Sequence, residues 1–185
     1  MTPQEFLTIL SRAAILKTRH CYTQENRKES VADHSWRIAL MAMLLSGEPE
    51  FQDTDMNKVV RMCLIHDLGE TFTGDIPSFE KTDQNVQTED AQFLTWASTF
   101  PSPQRQEWLS LLDEMEKLQT KEARTYKALD KLEALISHNE SDLSTWLPLE
   151  YDLQLTYGQE NVKFSPYLTA LRKCIDQWTL AKITP

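Results

Sequence analysis

The residues best suited to chemistry lie together in Ile65-His66-Asp67-Leu68-Gly69-Glu70 and, directly after, Thr73-Gly74-Asp75-Ile76-Pro77. Neutral imidazole and carboxylate together suit a divalent transition metal. On a helix Glu70 lies over His66 and Asp67. The preceding Val59, Val60, Cys63 and Leu64 read as core. A charge buried against such surface is unfavourable unless it is paired or coordinated. Two further residues pose the same conflict. His34 stands four residues before Ile38 on an apolar helical face, where a histidine is either a hydrogen-bonded core residue or a ligand. Asp130 lies between Leu129 and Lys131 and either pairs with Lys127 or Lys131 or binds a cation, since unpaired it is costly. Taken together, His34, His66, Asp67 and Asp130 offer two neutral and two anionic ligands to one divalent ion.

The elements that must position these groups are helical. Only four glycines occur, and no alternating strand-like stretch stands out. Thr2-Pro3-Gln4-Glu5 reads as a capping box with Pro at the first helical position, followed by a stripe of Phe6, Ile9, Leu10, Ala13 and Ala14. A polar connection is expected from about Thr18 to Glu29. Ser30 caps a second helix with His34, Ile38, Met41 and Leu45 inside and a stop near Gly47. A third begins near Asp55 and carries Val59, Cys63 and His66. Further helices are expected around Asn85–Thr99, from Ser102-Pro103 to about Leu118, from a Thr120 cap to about His138, over Leu147–Tyr157, and after Ser165-Pro166 with Leu168, Leu171, Ile175 and Trp178 inside. The expected fold class is all-α, a single-domain helical bundle over residues 1–185.

Composition narrows the function classes. The formal net charge of -9 disfavours a nucleic acid polymer as partner, because phosphate contacts need clustered Lys and Arg. No apolar run is long enough to span a bilayer, so no membrane partner is expected. The start, Met1-Thr2-Pro3-Gln4-Glu5, lacks the pattern of a signal peptide. Cys21, Cys63 and Cys174 are scattered and odd in number, which suits a reducing, cytoplasmic setting.

The order of these motifs resembles the HD-domain phosphohydrolase superfamily. Glu29-Ser30-Val31-Ala32-Asp33-His34-Ser35, the His66-Asp67-Leu68-Gly69-Glu70 run with its Gly74-Asp75-Ile76-Pro77 loop, and Leu129-Asp130-Lys131-Leu132-Glu133-Ala134 match it over about residues 10–136, with C-terminal helices at about 147–182 packing on that core. The branch most similar holds the bacterial 5′-deoxynucleotidases and their eukaryotic relatives. The resemblance implies an HD-type bundle with His34, His66, Asp67 and Asp130 on a divalent metal (Mn, Co, Mg, Fe, Ni or Zn), and room for a second ion near Glu70 and Asp75. It implies a 5′-nucleotidase in which metal-bound water attacks a (deoxy)nucleoside 5′-monophosphate. Glu70 and Asp75 would act catalytically. Arg19 would clamp phosphate, with His20, Ile76, Pro77 and Ser78 as further substrate contacts. Relatives carry Trp where His20 stands, a departure that bears on deoxyribose preference. Homodimerisation is a family expectation. Two rival readings keep the fold: an HD hydrolase of another small phosphate ester or signalling nucleotide, and a non-catalytic helical binding protein with a structural metal.

Overall fold

The computed structural model describes residues 1–13, 18–77 and 79–184. Ala14 of the first expected stripe and Ser78 lie outside the described residues. The chain runs α1 (Pro3–Ala13), β1 (Thr18–Tyr22), β2 (Lys28–Ser30), α2 (Val31–Leu45), α3 (Met56–Ile65), α4 (Glu70–Thr73), α5 (Asp83–Ser98), α6 (Gln104–Lys117), α7 (Lys121–Glu140), α8 (Glu150–Thr156), α9 (Gln159–Val162) and α10 (Pro166–Ile183). The expected helical architecture is what forms. Short 3-10 turns at Pro49–Phe51 and Leu143–Thr145 complete the order.

α7 is the central element. It packs against α2, α3, α6 and α10, and α2 and α3 pack on each other. Twenty residues at about 1.5 Å rise make it roughly 30 Å long. Thr120 caps it by accepting from the Ala123 N–H, one of the donors that a helix start leaves unsatisfied. Its buried residues include Ala123, Ala128, Leu129, Leu132 and Leu135, and also Asp130, Glu133, Ser137 and Asn139. A helix buried on so many sides is ordinary when apolar; the carboxylates on its buried surface need partners.

Four local expectations are corrected. The segment read as a polar connection folds into an antiparallel hairpin, β1 on β2, with Thr18 opposite Ser30 and Tyr22 opposite Lys28. Asn26 turns it at φ 60°, a conformation Asn tolerates better than most residues. α1 buries no residue: Phe6 and Leu10 of its apolar stripe are exposed, as is Leu7 beside them. α3 ends at Ile65, so His66 is its C-cap rather than an interior residue, and the chain turns through residues 66–69 before α4. Leu64, read as core, is exposed, as is Trp178 at 41%; both fall on the outward side of helices whose inner faces hold Cys63 and Ile175.

Two glycines serve close geometry. Gly74 ends α4 at φ +83°, which frees the next residue, Asp75, to turn toward β1. Gly158 has φ +72°, and a Cβ there would stand 2.7 Å from Lys131 Cβ, so the turn after α8 presses directly on α7.

Candidate active site

The helix break after Ile65 aims the His-Asp pair inward. The His66 backbone N–H donates to Met62 O at 3.0 Å, closing α3. Its ring Nδ1–H donates to Cys63 O at 2.9 Å. A carbonyl only accepts, so Nδ1 carries the proton and Nε2 keeps its lone pair. That Nε2 is buried and has no hydrogen-bond partner.

His34 arrives from α2. Ser30 and Asp33 form a full capping box at the helix start, which fixes the first turn on which His34 sits. The His34 ring is fully buried. Its Nδ1 is hydrogen-bonded to Glu133 Oε2 of α7, leaving Nε2 directed at Asp130 Oδ1, 3.3 Å away, and Asp67 Oδ2, 3.9 Å away. Carboxylate or carbonyl on one imidazole nitrogen and an ion on the other is the usual way a metal-ligating histidine is oriented.

Asp130 divides its two oxygens. Oδ2 accepts from Lys127 Nζ at 3.0 Å and lies 3.3 Å from Lys131 Nζ. Oδ1 faces the two histidines. The lysine pairing and the inward orientation, which stand as alternatives in the sequence, thus occur at once. His34 Nε2, Asp130 Oδ1, His66 Nε2 and Asp67 Oδ2 form a ring with successive separations of 3.3, 3.8, 3.1 and 3.9 Å. Neighbouring donors around an ion with bonds of about 2.0–2.2 Å stand roughly 3.0–3.5 Å apart. His34, His66 and Asp67 bring ligand atoms within 4.8 Å of one another; Asp130 Oδ1 adjoins both imidazoles and must move toward Asp67 to join them on one cation, and the partnerless His66 Nε2 is a ligand atom with nothing else to meet.

Another convergent trio, Glu29, His34 and Glu133, has ligand atoms equally near one another. Its charge is already met by cations. Arg19 donates to Glu29 Oε2 at 2.6 Å and lies 4.0 Å from Glu133, and Arg37 Nε is 3.2 Å from Glu133 Oε1. The trio is the support behind His34 and not a second metal site. Arg37 pairs with Glu133 and, through two hydrogen bonds, with Glu140. Arg27 takes Asp33.

The remaining acidic residues crowd the same space. Glu70 is buried and its Oε2 has no partner. Burial first, then the like charges of Asp67, Asp75 and Glu89, pushes its carboxyl up to about 9. Such crowding is what a cation would relieve. Asp75 is held differently. The His20 backbone N–H donates to Asp75 Oδ2 at 2.7 Å, and the His20 ring Nδ1 lies 3.2 Å from the same oxygen. Burial raises the Asp75 carboxyl, but His20 and Arg19 outweigh it and hold it below its ordinary value. This engagement makes Asp75 an anchor for His20 before it is free for a second ion.

These groups line a cavity of about 170 Å³. Its lining combines the cations Arg19, Lys81, Lys127 and Lys131 with the acids Asp67, Glu70, Asp75 and Asp130, and Ile76 contributes an apolar edge. Pro77 is not on the wall. Its carbonyl accepts from the Glu80 and Lys81 N–H groups at 2.8 and 2.9 Å, so it shapes the loop that delivers Lys81 and makes no part of the cavity surface. Ser78, expected as a substrate contact, lies outside the described residues. His138, in the last turn of α7, packs its ring 4.2 Å from Trp146 and lines the cavity. Cys63 is buried core, as expected. Sequence reasoning missed Glu29, Glu133, Lys81 and Glu150. For Glu133 a signal existed: a carboxylate one turn after Asp130 on the same buried stripe.

An HD domain family model matches residues 15–172. The chain is 33% identical to the 5′-deoxynucleotidase HDDC2 of Dictyostelium discoideum, over 78% of this chain and 74% of that protein. It is 29% identical to the human 5′-deoxynucleotidase HDDC2, over 74% of this chain and 66% of that one. The crystal structure of a predicted metal-dependent phosphohydrolase from Magnetospirillum magnetotacticum MS-1 superimposes with a TM-score of 0.77 at 27% identity, covering 97% of this chain and 93% of that chain.

Proposed function

The chain belongs to the HD domain family, and from that premise we propose that it is a divalent-metal-dependent phosphohydrolase that releases phosphate from (deoxy)nucleoside 5′-monophosphates. The observation that carries this is the ring of four ligand atoms with both histidine Nδ1 atoms already engaged behind it. His34, His66, Asp67 and Asp130 would hold the ion. A bound divalent cation lowers the pKa of a coordinated water and polarises a phosphoryl oxygen.

The chain's own groups do the rest. Lys81, Lys127, Lys131 and Arg19 supply the positive charge that draws in and orients a phosphomonoester dianion. The overall charge of -9 would oppose such a substrate, so this local concentration of cations is needed. Glu70, buried beside Asp67 and without a partner for Oε2, stands where it can position the attacking water; the bound cation would relieve the crowding that raises its carboxyl and so free it to accept that water's proton. Asp75 holds His20 in the wall and stands beside Glu70 on the cavity surface. The names of the relatives support a nucleotide as the substrate.

No helix among the described residues is long and apolar enough to cross a membrane. The free Cys21, Cys63 and Cys174 support a reducing, cytoplasmic setting. Trp36, Leu40, Met43 and Leu44 form an exposed stripe on one side of α2, which supports a homodimer; sedimentation at two concentrations reads this directly. For the activity, phosphate release from a panel of ribo- and deoxynucleoside monophosphates is measured with Mn, Co or Mg. Turnover that disappears with chelator and returns with metal is expected. No turnover with metal demonstrably bound overturns the proposal.

A further inference from the structure

The cavity lining also brings His20, His138 and Glu150 together at one end. Glu150, the first residue of α8, is buried there. Its Oε2 accepts from the Leu147 N–H at 2.6 Å and lies 3.4 Å from His138 Nε2. Its Oε1 is 4.0 Å from His20 Nε2. That gap is too long for a hydrogen bond. His20 cannot close it easily, because its ring Nδ1 and backbone are both tied to Asp75; Nε2 meets Cys21 Sγ at 3.4 Å, a weak sulfur contact that a hydroxyl would displace. Glu150 is equally tied through Oε2.

A carboxylate only accepts, and it repels a phosphate. Whatever meets Glu150 Oε1 must therefore be a donor on the uncharged part of the substrate. A hydroxyl placed between Nε2 and Oε1 donates to the carboxylate and offers lone pairs to the imidazole. A vicinal diol serves both groups whichever way the imidazole proton stands. We propose that His20 and Glu150 form a hydroxyl-reading pair that selects a leaving group bearing a ribose-ring hydroxyl, so that this chain discriminates on the sugar from a residue of α8. The inference rests on the nucleotidase reading above. It goes beyond it in assigning Glu150 a substrate contact and in making the sugar hydroxyls a determinant of rate. Gln154, which lines the same end, is committed elsewhere: its side-chain amide donates to Leu135 O at 2.7 Å.

The test compares kcat/KM for AMP, 2′-deoxy-AMP, 3′-deoxy-AMP and 2′,3′-dideoxy-AMP on the metal-loaded enzyme. A hydrogen bond to a charged group corresponds to roughly 10- to 100-fold in the wild type when the contacted hydroxyl is removed. In Glu150→Gln the same removal should cost several-fold less than in the wild type, because the remaining amide oxygen is an uncharged acceptor. Ratios between two substrates on one sample are independent of the fraction of protein correctly folded. A second variant, His20→Asn, should flatten the same ratio from the other side of the gap. Equal hydroxyl dependence in the wild type and in both variants overturns the pair, as does a wild type indifferent to both hydroxyls. Absence of turnover on all four nucleotides is a different result: it overturns the nucleotidase reading itself.

Discussion

His34 and Glu133, separated by 99 positions in the chain, meet through Nδ1 and Oε2 in a contact with no solvent exposure on either side. A carboxylate so placed fixes which imidazole nitrogen carries the proton and strengthens the other as a ligand. Arg37 and Arg19 on its far side keep that carboxylate paired within the protein. Glu133→Gln retains an oxygen for the Nδ1–H but removes the charge. Its affinity for Mn, measured by calorimetry, should fall by roughly 10- to 100-fold while the four ring ligands remain intact. Unchanged affinity would make Glu133 a packing residue only.

Glu70 separates metal binding from chemistry. It lies outside the ring formed by His34, His66, Asp67 and Asp130, yet lines the cavity with a partnerless oxygen. Glu70→Gln should leave metal content by elemental analysis near that of the wild type. Loss of a positioned base should lower kcat by about 10²- to 10⁴-fold. Lost metal together with lost rate would instead mean that Glu70 is itself a ligand.

The four proposed ligands were legible as a group because each breaks a local pattern. His34 and Asp130 interrupt apolar helical stripes, and the His66-Asp67 pair ends one; burial of such groups calls for a partner. The helices were readable for the same reason, through caps such as Ser30 and Thr120 and through apolar spacing. The hairpin was not. Thr18–Tyr22 and Lys28–Ser30 are short and carry no apolar alternation, and the pairing is held in place by Arg19 reaching Glu29 and His20 reaching Asp75, contacts invisible at the level of periodicity. The cations of the cavity lining were illegible too. Lys127 and Lys131 look like solvent-facing helix charges until α7 is placed in the middle of the fold.

Acid should weaken the start of α2. Two hydrogen bonds from Arg27, followed by the Ser30 cap, hold the Asp33 carboxyl well below the usual carboxylate range. A depressed folded-state pKa contributes stability above the unfolded value of about 3.9, and that contribution is lost as pH falls below it toward the folded value. Asp33→Ala should therefore cost about 1 kcal/mol at neutral pH, the usual worth of a cap. The difference from the wild type should shrink steadily in urea melts below about pH 4. A constant difference across that range would remove the charged carboxylate from the account.

Arg19 has two roles that a single substitution confuses. It lines the cavity, where the proposed function makes it a phosphate donor, and it neutralises Glu29, whose Oε2 it meets at 2.6 Å and whose Oε1 accepts from Ser137. Both side chains are almost wholly buried. Arg19→Met should thus destabilise the fold by about 3–5 kcal/mol, because it leaves an uncompensated buried charge. Adding Glu29→Gln removes that charge while keeping an acceptor for Ser137, so the double variant should recover most of the lost stability in denaturant melts. Phosphate binding should not recover with it. If Arg19 contacts the substrate, KM for a nucleotide monophosphate stays raised in the double variant although its melting curve approaches that of the wild type. Recovery of KM together with stability would show that Arg19 serves only to hold the hairpin against α7, and that Lys81, Lys127 and Lys131 carry the phosphate alone.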